Sequence, residues 1–162
     1  MKKSLLAIAI LFSCGIATAQ VKMPAPSPTQ TIKQNFGIGT IELTYSRPGA
    51  KGRKIFGELV PYNKLWRTGA NSATVIKFTE PVEIKGKKLD TGSYALYSIP
   101  NIDSWEIIIN KGITNAGVSG YKESEDVIRF YVEPARMREK LETFTMQFDN
   151  IKPESCDLSI IW

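Results

Sequence analysis

Apolar and polar residues alternate one for one in short runs along most of this chain, and nowhere does a helical period last the length of a normal helix. Period 2 sends successive side chains to opposite faces of an extended backbone, so each run reads as a half-buried strand. Ile41, Leu43 and Tyr45 share one face, with Glu42 and Thr44 opposite. Thr74, Ile76 and Phe78 alternate with Val75, Lys77 and Thr79. Val82–Ile84 follows, closed by a turn at Lys85-Gly86-Lys87-Lys88, and Asp90-Thr91-Gly92 is a second turn. Ser93–Ile99 is rich in tyrosine and aliphatic residues and is stopped by Pro100. Trp105–Asn110, Val127–Glu133, Leu141–Phe148 and Cys156–Trp162 complete the set of about eight strands. Lys54–Leu59 and Ala135–Lys140 have room for one helical turn each. The pattern predicts an all-β chain: a single-domain antiparallel β-sandwich, with a barrel as the alternative, one long basic loop and no long helix.

The N-terminus has the grammar of an export signal. Met1-Lys2-Lys3 is positive, Leu5 to Ile16 is apolar but for Ser13, Cys14 and Gly15, and Ala17-Thr18-Ala19 has the small-x-small form that signal peptidase cuts. Residues 1–19 therefore read as a secretory signal, with a lipoprotein anchored through Cys14 as the minor alternative. The run is short of the roughly 20 apolar residues a membrane span needs. Cleavage after Ala19 leaves 143 residues, one domain by length. It also leaves Cys156 without an intrachain partner, so the fold relies on its core and Cys156 reads as a packing thiol. Residues 20–36, with Pro24, Pro26 and Pro28, read as an extended arm, and 37–162 as the sandwich domain. The chain ends on Trp162 inside an apolar strand, and a further strand is expected beyond it.

Between the strands lies Ser46–Asn71, which has neither period. It carries six cations (Arg47, Lys51, Arg53, Lys54, Lys64, Arg67), one acid (Glu58), four glycines and the aromatics Phe56, Tyr62 and Trp66. After signal removal the chain has 19 Lys+Arg against 16 Asp+Glu, so the excess charge belongs to this loop. A nucleic-acid binder spreads its cations more widely, and none is expected as a partner here. Long ordered loops in compact domains are commonly functional. Arginine presents a planar fork that matches carboxylate or phosphate oxygens, and aromatics stack on rings and sugars. The predicted ligand-binding set is Arg47, Lys51, Arg53, Tyr62, Trp66, Arg67 and Asn71, for an anionic or polyhydroxyl ligand. The opposing reading has the arginines locked onto internal acids such as Glu42 and Glu58, with the aromatics as core. Gly57 and Gly69 are expected at positive φ or close approaches.

Catalysis has little footing. The chain holds no histidine, which removes the usual proton shuttle and the commonest metal ligand, and no cofactor or metal is expected. Ser119-Gly120-Tyr121-Lys122 matches Ser-x-x-Lys by letter but lacks companion motifs, and Gly37-Ile38-Gly39 is not a dinucleotide loop. A histidine-free hydrolase acting on glycans or esters, and a structural envelope protein, remain as alternatives to a binding module.

The runs Ser46-Arg47-Pro48, Lys51-Gly52-Arg53, Ile55-Phe56-Gly57, Leu59-Val60-Pro61-Tyr62 and Trp66-Arg67-Thr68-Gly69-Ala70-Asn71 resemble the signature of an uncharacterised secreted bacterial family, domain of unknown function 2911. Gly92-x-Tyr94, Ile99-Pro100, Trp105, Asn110-Lys111, Asp126-Val127-Ile128-Arg129, Glu142-x-Phe144 and Leu158 to Trp162 continue the likeness over nearly all of the mature chain. The resemblance implies a β-rich single domain exported by a Gram-negative bacterium, to the periplasm or the cell exterior, and implies no activity. The protein recovered from such a host should begin at Gln20 by intact mass and N-terminal peptide mapping. A chain retaining Met1, or lipidated on Cys14, excludes that processing.

Overall fold

The computed structural model describes residues 23–162. The predicted signal, Cys14 and the start of the predicted arm lie outside the described residues. Ten strands follow in order: β1 (Thr29–Phe36), β2 (Gly39–Ser46), β3 (Thr74–Phe78), β4 (Val82–Ile84), β5 (Lys87–Leu89), β6 (Gly92–Ile99), β7 (Trp105–Asn110), β8 (Asp126–Val132), β9 (Thr145–Asp149) and β10 (Asp157–Ile161). The one helical piece among the described residues is a 3-10 turn, Glu123–Glu125, and no helix there is long and apolar enough to cross a membrane.

The large sheet has six strands in the order β1-β2-β3-β6-β7-β8, with every neighbouring pair antiparallel. Alternation sorts its faces. Ile41, Leu43, Tyr45, Ile76, Phe78, Leu96, Ile107, Ile109 and Ile128 all point into one buried core. The central strands β6 and β7 are covered on both sides, which is why they read as nearly continuous apolar runs. Their outer residues Ala95, Tyr97 and Ile108 form a second buried cluster with Ala73, against which Leu65, Ile99 and Tyr121 pack. The second layer is the antiparallel pair β9–β10, whose Met146, Phe148, Leu158 and Ile160, flanked by Phe144, Cys156 and Trp162, pack onto the inner face of the large sheet. The result is a sandwich, six strands over two, and it does not close into a barrel.

The structure departs from the sequence reading at several elements. Thr29–Phe36, read as part of an arm, is β1, paired with β2 along its whole length. Its signal was weak because its polar alternation, Thr-Gln-Thr-Ile-Lys-Gln-Asn, suits an edge strand with little to bury. Lys87 and Lys88, read as turn residues, begin β5. Lys85 (φ 49) and Gly86 (φ 78) alone make the two-residue turn, and two positive φ values in succession are the type I′ hairpin geometry. Neither expected helical turn forms. Around Lys54–Leu59 the chain folds into a compact knot instead, where Ile55 O accepts from both Glu58 N (3.4 Å) and Val60 N (2.9 Å).

A polar contact registers the two layers. Tyr45 Oη accepts from Met146 N at 2.9 Å, and its own proton can serve Met146 O at 3.1 Å or Gln30 Oε1 at 2.9 Å. This single buried hydroxyl accepts from one backbone group of Met146 and can donate to the other, on the side of β9 away from β10. Tyr45→Phe keeps the ring and strands those groups, so it should destabilise the fold by about 1–3 kcal/mol in urea titration. A loss below a few tenths of that would show that water replaces the hydroxyl.

Candidate functional site

Residues 47–73 connect β2 to β3 and are ordered by their own apolar residues. Phe56 and Trp66, both partly buried, pack against the main core. Trp66 stands edge-on to Phe144 (ring centroids 5.2 Å), Phe56 (6.2 Å) and Trp105 (6.3 Å), and stacks on Trp162 at 6.1 Å and 17°. Its backbone bridges to Ser98 of β6 through bonds of 2.7 and 2.9 Å, and its indole N–H donates to Gly69 O at 3.1 Å. Glycine is required at two points. A Cβ on Gly57 (φ 89) would lie 2.9 Å from the Tyr62 ring, and one on Gly69 (φ 152) would lie 3.1 Å from Ser46 O. Between Trp66 and Gly69 the backbone is strained. Thr68 is fully buried with φ 51, a region that β-branched residues avoid and that clusters at functional sites. It is held there by Ser98, whose hydroxyl lies 2.9 Å from Thr68 Oγ1, and by Thr74 Oγ1, which donates to Thr68 O at 2.6 Å.

The tied-down loop leaves a surface hollow of about 450 Å³, within the range of small-ligand clefts. Arg53, Lys64, Arg67, Asn71, Trp66 and Trp162 line it, with apolar walls from residues including Leu65 and Val118, and no Asp or Glu takes part in the lining. Four of the seven residues singled out by sequence thus come together: Arg53, Trp66, Arg67 and Asn71. Arg53 donates from Nε to Ala50 O (2.9 Å) and from Nη2 to Gly49 O (2.7 Å). Asn71 donates to Ser27 O (3.0 Å) and Ser46 Oγ (3.1 Å), and stands at φ 59, which asparagine tolerates. Arg67 differs. Its Nε is buried and has no hydrogen-bond partner among the described residues. The same holds for Trp162 Nε1, so the hollow is lined by two residues with orphaned donors.

The other three residues lie elsewhere. Arg47 sits in the seam between the layers, donating from Nε to Phe144 O (3.1 Å) and from Nη2 to Thr145 Oγ1 (2.9 Å). The backbone N–H of Lys51, at φ 50 in an exposed turn, donates to Glu142 Oε1 at 2.9 Å. Tyr62 covers Gly57 and takes no part in lining the hollow. Among the described residues none of the three arginines forms an ion pair. Glu58 instead pairs with Lys54 at 3.3 Å on the exposed surface. Sequence reasoning counted Lys64 as a cation without placing it in the site. It missed Trp162 and Val118, which reach the hollow from distant parts of the chain and carry no local signal.

One wall of the hollow is the loop before β8. Gly117 (φ 71) packs so closely that a Cβ there would lie 2.8 Å from Arg67 Nη1. That loop is anchored from below by a polar network. Asn110, fully buried, donates to Lys122 O (2.9 Å) and Asp126 Oδ1 (2.7 Å) and accepts from Gly112 N (2.7 Å). Tyr121 Oη donates to Asp126 Oδ2 at 2.7 Å, Arg129 Nε donates to the same oxygen at 2.7 Å, and Arg129 Nη2 donates to Tyr121 Oη at 2.6 Å. Burial, then the hydrogen bond and charge of Asp126, push the Tyr121 phenol up to about 12. Burial works against the charge of Arg129, but its bonds and charge partners at Asp126 and Tyr121 outweigh that and strengthen its hold on the proton. Tyr97 Oη, which accepts from Asn115 Nδ2 at 3.1 Å, is raised mainly by burial. Burial, then the charge of Asp157, also raises Cys156, as suits a packing thiol.

The fold and the hollow define an all-β sandwich with an acid-free cationic recess built into its longest loop. The family model for DUF2911, proteins of unknown function, matches residues 27–162, and the chain belongs to that family. No curated protein and no solved structure matches it.

The raised phenols make stability depend on alkaline pH. The unfolded chain releases the Tyr121 proton near 10.0 and the folded chain near 12, so its contribution is complete below pH 10 and is lost as pH climbs from 10 to 12. Urea titrations across that window should show stability falling with pH in the natural protein, and a shallower fall for Tyr121→Phe. Some slope remains because burial raises Tyr94 and Tyr97 as well. Identical slopes would place the phenol outside the network.

Proposed function

We propose that this protein is an exported binding module for a small anion, held in the hollow by Arg67 and Arg53 with Lys64 adding charge. The observation that carries the reading is the cation set of the hollow: Arg53, Lys64 and Arg67 line it with no carboxylate in its walls, and Arg67 forms no ion pair among the described residues. A carboxylate or phosphate is the natural acceptor for a guanidinium fork, and exclusion of acids from the lining keeps the local field positive. The strained Thr68 beside Arg67 and the close seat against Gly117 hold the side chain in place before a ligand arrives, which lowers the ordering cost of binding. The reading of residues 1–19 as an export signal supports a place for such a module outside the cytoplasm. Hydrolysis by two opposed carboxylates is not supported at this hollow, because neither Asp nor Glu lines it.

Thermal unfolding in the presence of phosphate, sulfate and acetate tests the reading. An anion at a hundredfold excess over its dissociation constant adds about 2.7 kcal/mol, a rise of several degrees for a chain of this size. Arg67→Gln should abolish the rise while folding normally, and Gly117→Ala should reduce it by displacing Nη1. If Arg67→Ala and Arg53→Ala each lower the melting temperature sharply and no anion raises it, the cations are scaffold.

A further inference from the structure

Strand β10 has an open edge. Tyr45 Oη accepts from Met146 N and can donate to Met146 O, so both groups point away from β10. Met146 and Ile160, directly opposite each other, are then a pair without mutual hydrogen bonds. Parity turns the N–H and C=O of Ile160, and of Leu158 two residues back, away from β9. Among the described residues no strand and no backbone group pairs with them. The other long edges are guarded. On β8, Lys87 Nζ donates to Arg129 O at 2.9 Å. On β9, Tyr45 covers Met146, and β1 is polar and carries Lys33. β10 reads Asp-Leu-Ser-Ile-Ile, with neither lysine nor proline. Natural sheets protect their edges with charge, proline or cover, because an open edge is a template for another strand. We propose that β10 receives an extended segment of a partner protein, alternately apolar and basic, as a third strand of the second layer.

The geometry of an antiparallel pair fixes the chemistry of that segment. Residues directly opposite each other share a face of the sheet. Leu158 and Ile160 turn their side chains toward the main core, so the residues that bond to them also point inward. There the segment meets Val82, Ile84, Phe130 and Val132, half-buried apolar residues that line the half-open space of about 1560 Å³ beside β10. Those alternate positions call for apolar side chains. The positions between them point outward, to a rim where acids predominate. Glu83, Asp103, Glu133, Glu139 and Asp157 line the space, all exposed, against three cations. Basic side chains at the outward positions complement that excess and steer the segment to this edge. Main-chain bonds to Leu158 and Ile160 supply the affinity, and the alternation supplies the selectivity.

Amide hydrogen exchange of the purified protein, followed residue by residue by NMR, is the experiment. Alone, Leu158 and Ile160 should exchange much faster than Ser159 and Ile161, whose N–H groups face β9. The probe is a short capped peptide of alternating lysine and valine. At a tenfold excess over its dissociation constant it should slow Leu158 and Ile160 about tenfold and leave Ser159 and Ile161 as they were. N-methylation of its valines, whose N–H groups face β10, should abolish the effect, and N-methylation of its lysines should largely preserve it. Glutamate in place of lysine, or Glu83→Lys with Glu133→Lys in the protein, should weaken binding. Slow exchange at Leu158 and Ile160 in the protein alone overturns the proposal: a dimeric mass by sedimentation then assigns the edge to a second copy, a monomeric mass to the chain itself. An N-methylvaline peptide that protects as well as its parent overturns strand addition. Equal binding of the glutamate peptide overturns the basic partner, and no protection by the lysine–valine peptide overturns the docking edge.

Discussion

The architecture hangs on a knot of aromatic side chains where three parts of the chain meet. Phe144, fully buried, is edge-on to Tyr45 of the large sheet, to Trp66 of the long loop, and to Trp162 at the end of the small sheet. Phe56 and Trp105 extend the cluster at 4.9 Å. Each such pair adds about 0.5–1.5 kcal/mol beyond the area it buries. The geometry matters as much as the energy. Edge-on rings fix relative orientation, so the two-stranded layer, the six-stranded layer and the loop cannot slide past one another independently. The Tyr45 hydroxyl then sets the register of β9 within that arrangement by answering both backbone groups of Met146.

This knot explains how a loop of glycines, prolines and cations can be rigid without helix or sheet of its own. Its aromatics point inward and bear the packing, which leaves its cations at the rim. Arg47 is drawn into the seam and satisfied by Phe144 O and Thr145 Oγ1, while Arg53 ties back to its own turn. Of the loop's three arginines, Arg67 alone has a buried Nε, beside a strained Thr68, with no acceptor among the described residues. The difference between these arginines is one of local partners, not of residue type. Two strands alone face six, yet the inner face of the large sheet is buried, because Val82, Ile84 and Leu89 of the β4–β5 hairpin and Phe56 and Trp66 of the long loop pack onto the same core.

The sequence carried the fold class openly, because alternation over Ile41–Tyr45, Thr74–Phe78 and Trp105–Asn110 directly reflects which face of a strand is buried. It carried β1 poorly, because an edge strand such as Thr-Gln-Thr-Ile-Lys-Gln-Asn alternates in exposure but presents almost no apolar stripe to read. It carried β5 poorly because Lys87-Lys88 looks like turn and becomes strand only by pairing with Ile84 and Glu83 across a two-residue hairpin. The glycines needed at 57 and 69 were legible as conformational punctuation, and both stand at positive φ.

What the chain determined on its own was therefore local: strand periodicity, turn chemistry, the absence of histidine, and the concentration of positive charge in one loop. Which cations would meet was decided only by tertiary structure. Arg53, Lys64 and Arg67 share a hollow, while Arg47 does not, because the inward anchoring of Phe56 and Trp66 sets the path of the backbone between them. Trp162 enters the same hollow from β10, nearly a hundred residues away. Distances across a sequence carry no record of such meetings. They arise when buried aromatic surface from separate segments has a single way to pack.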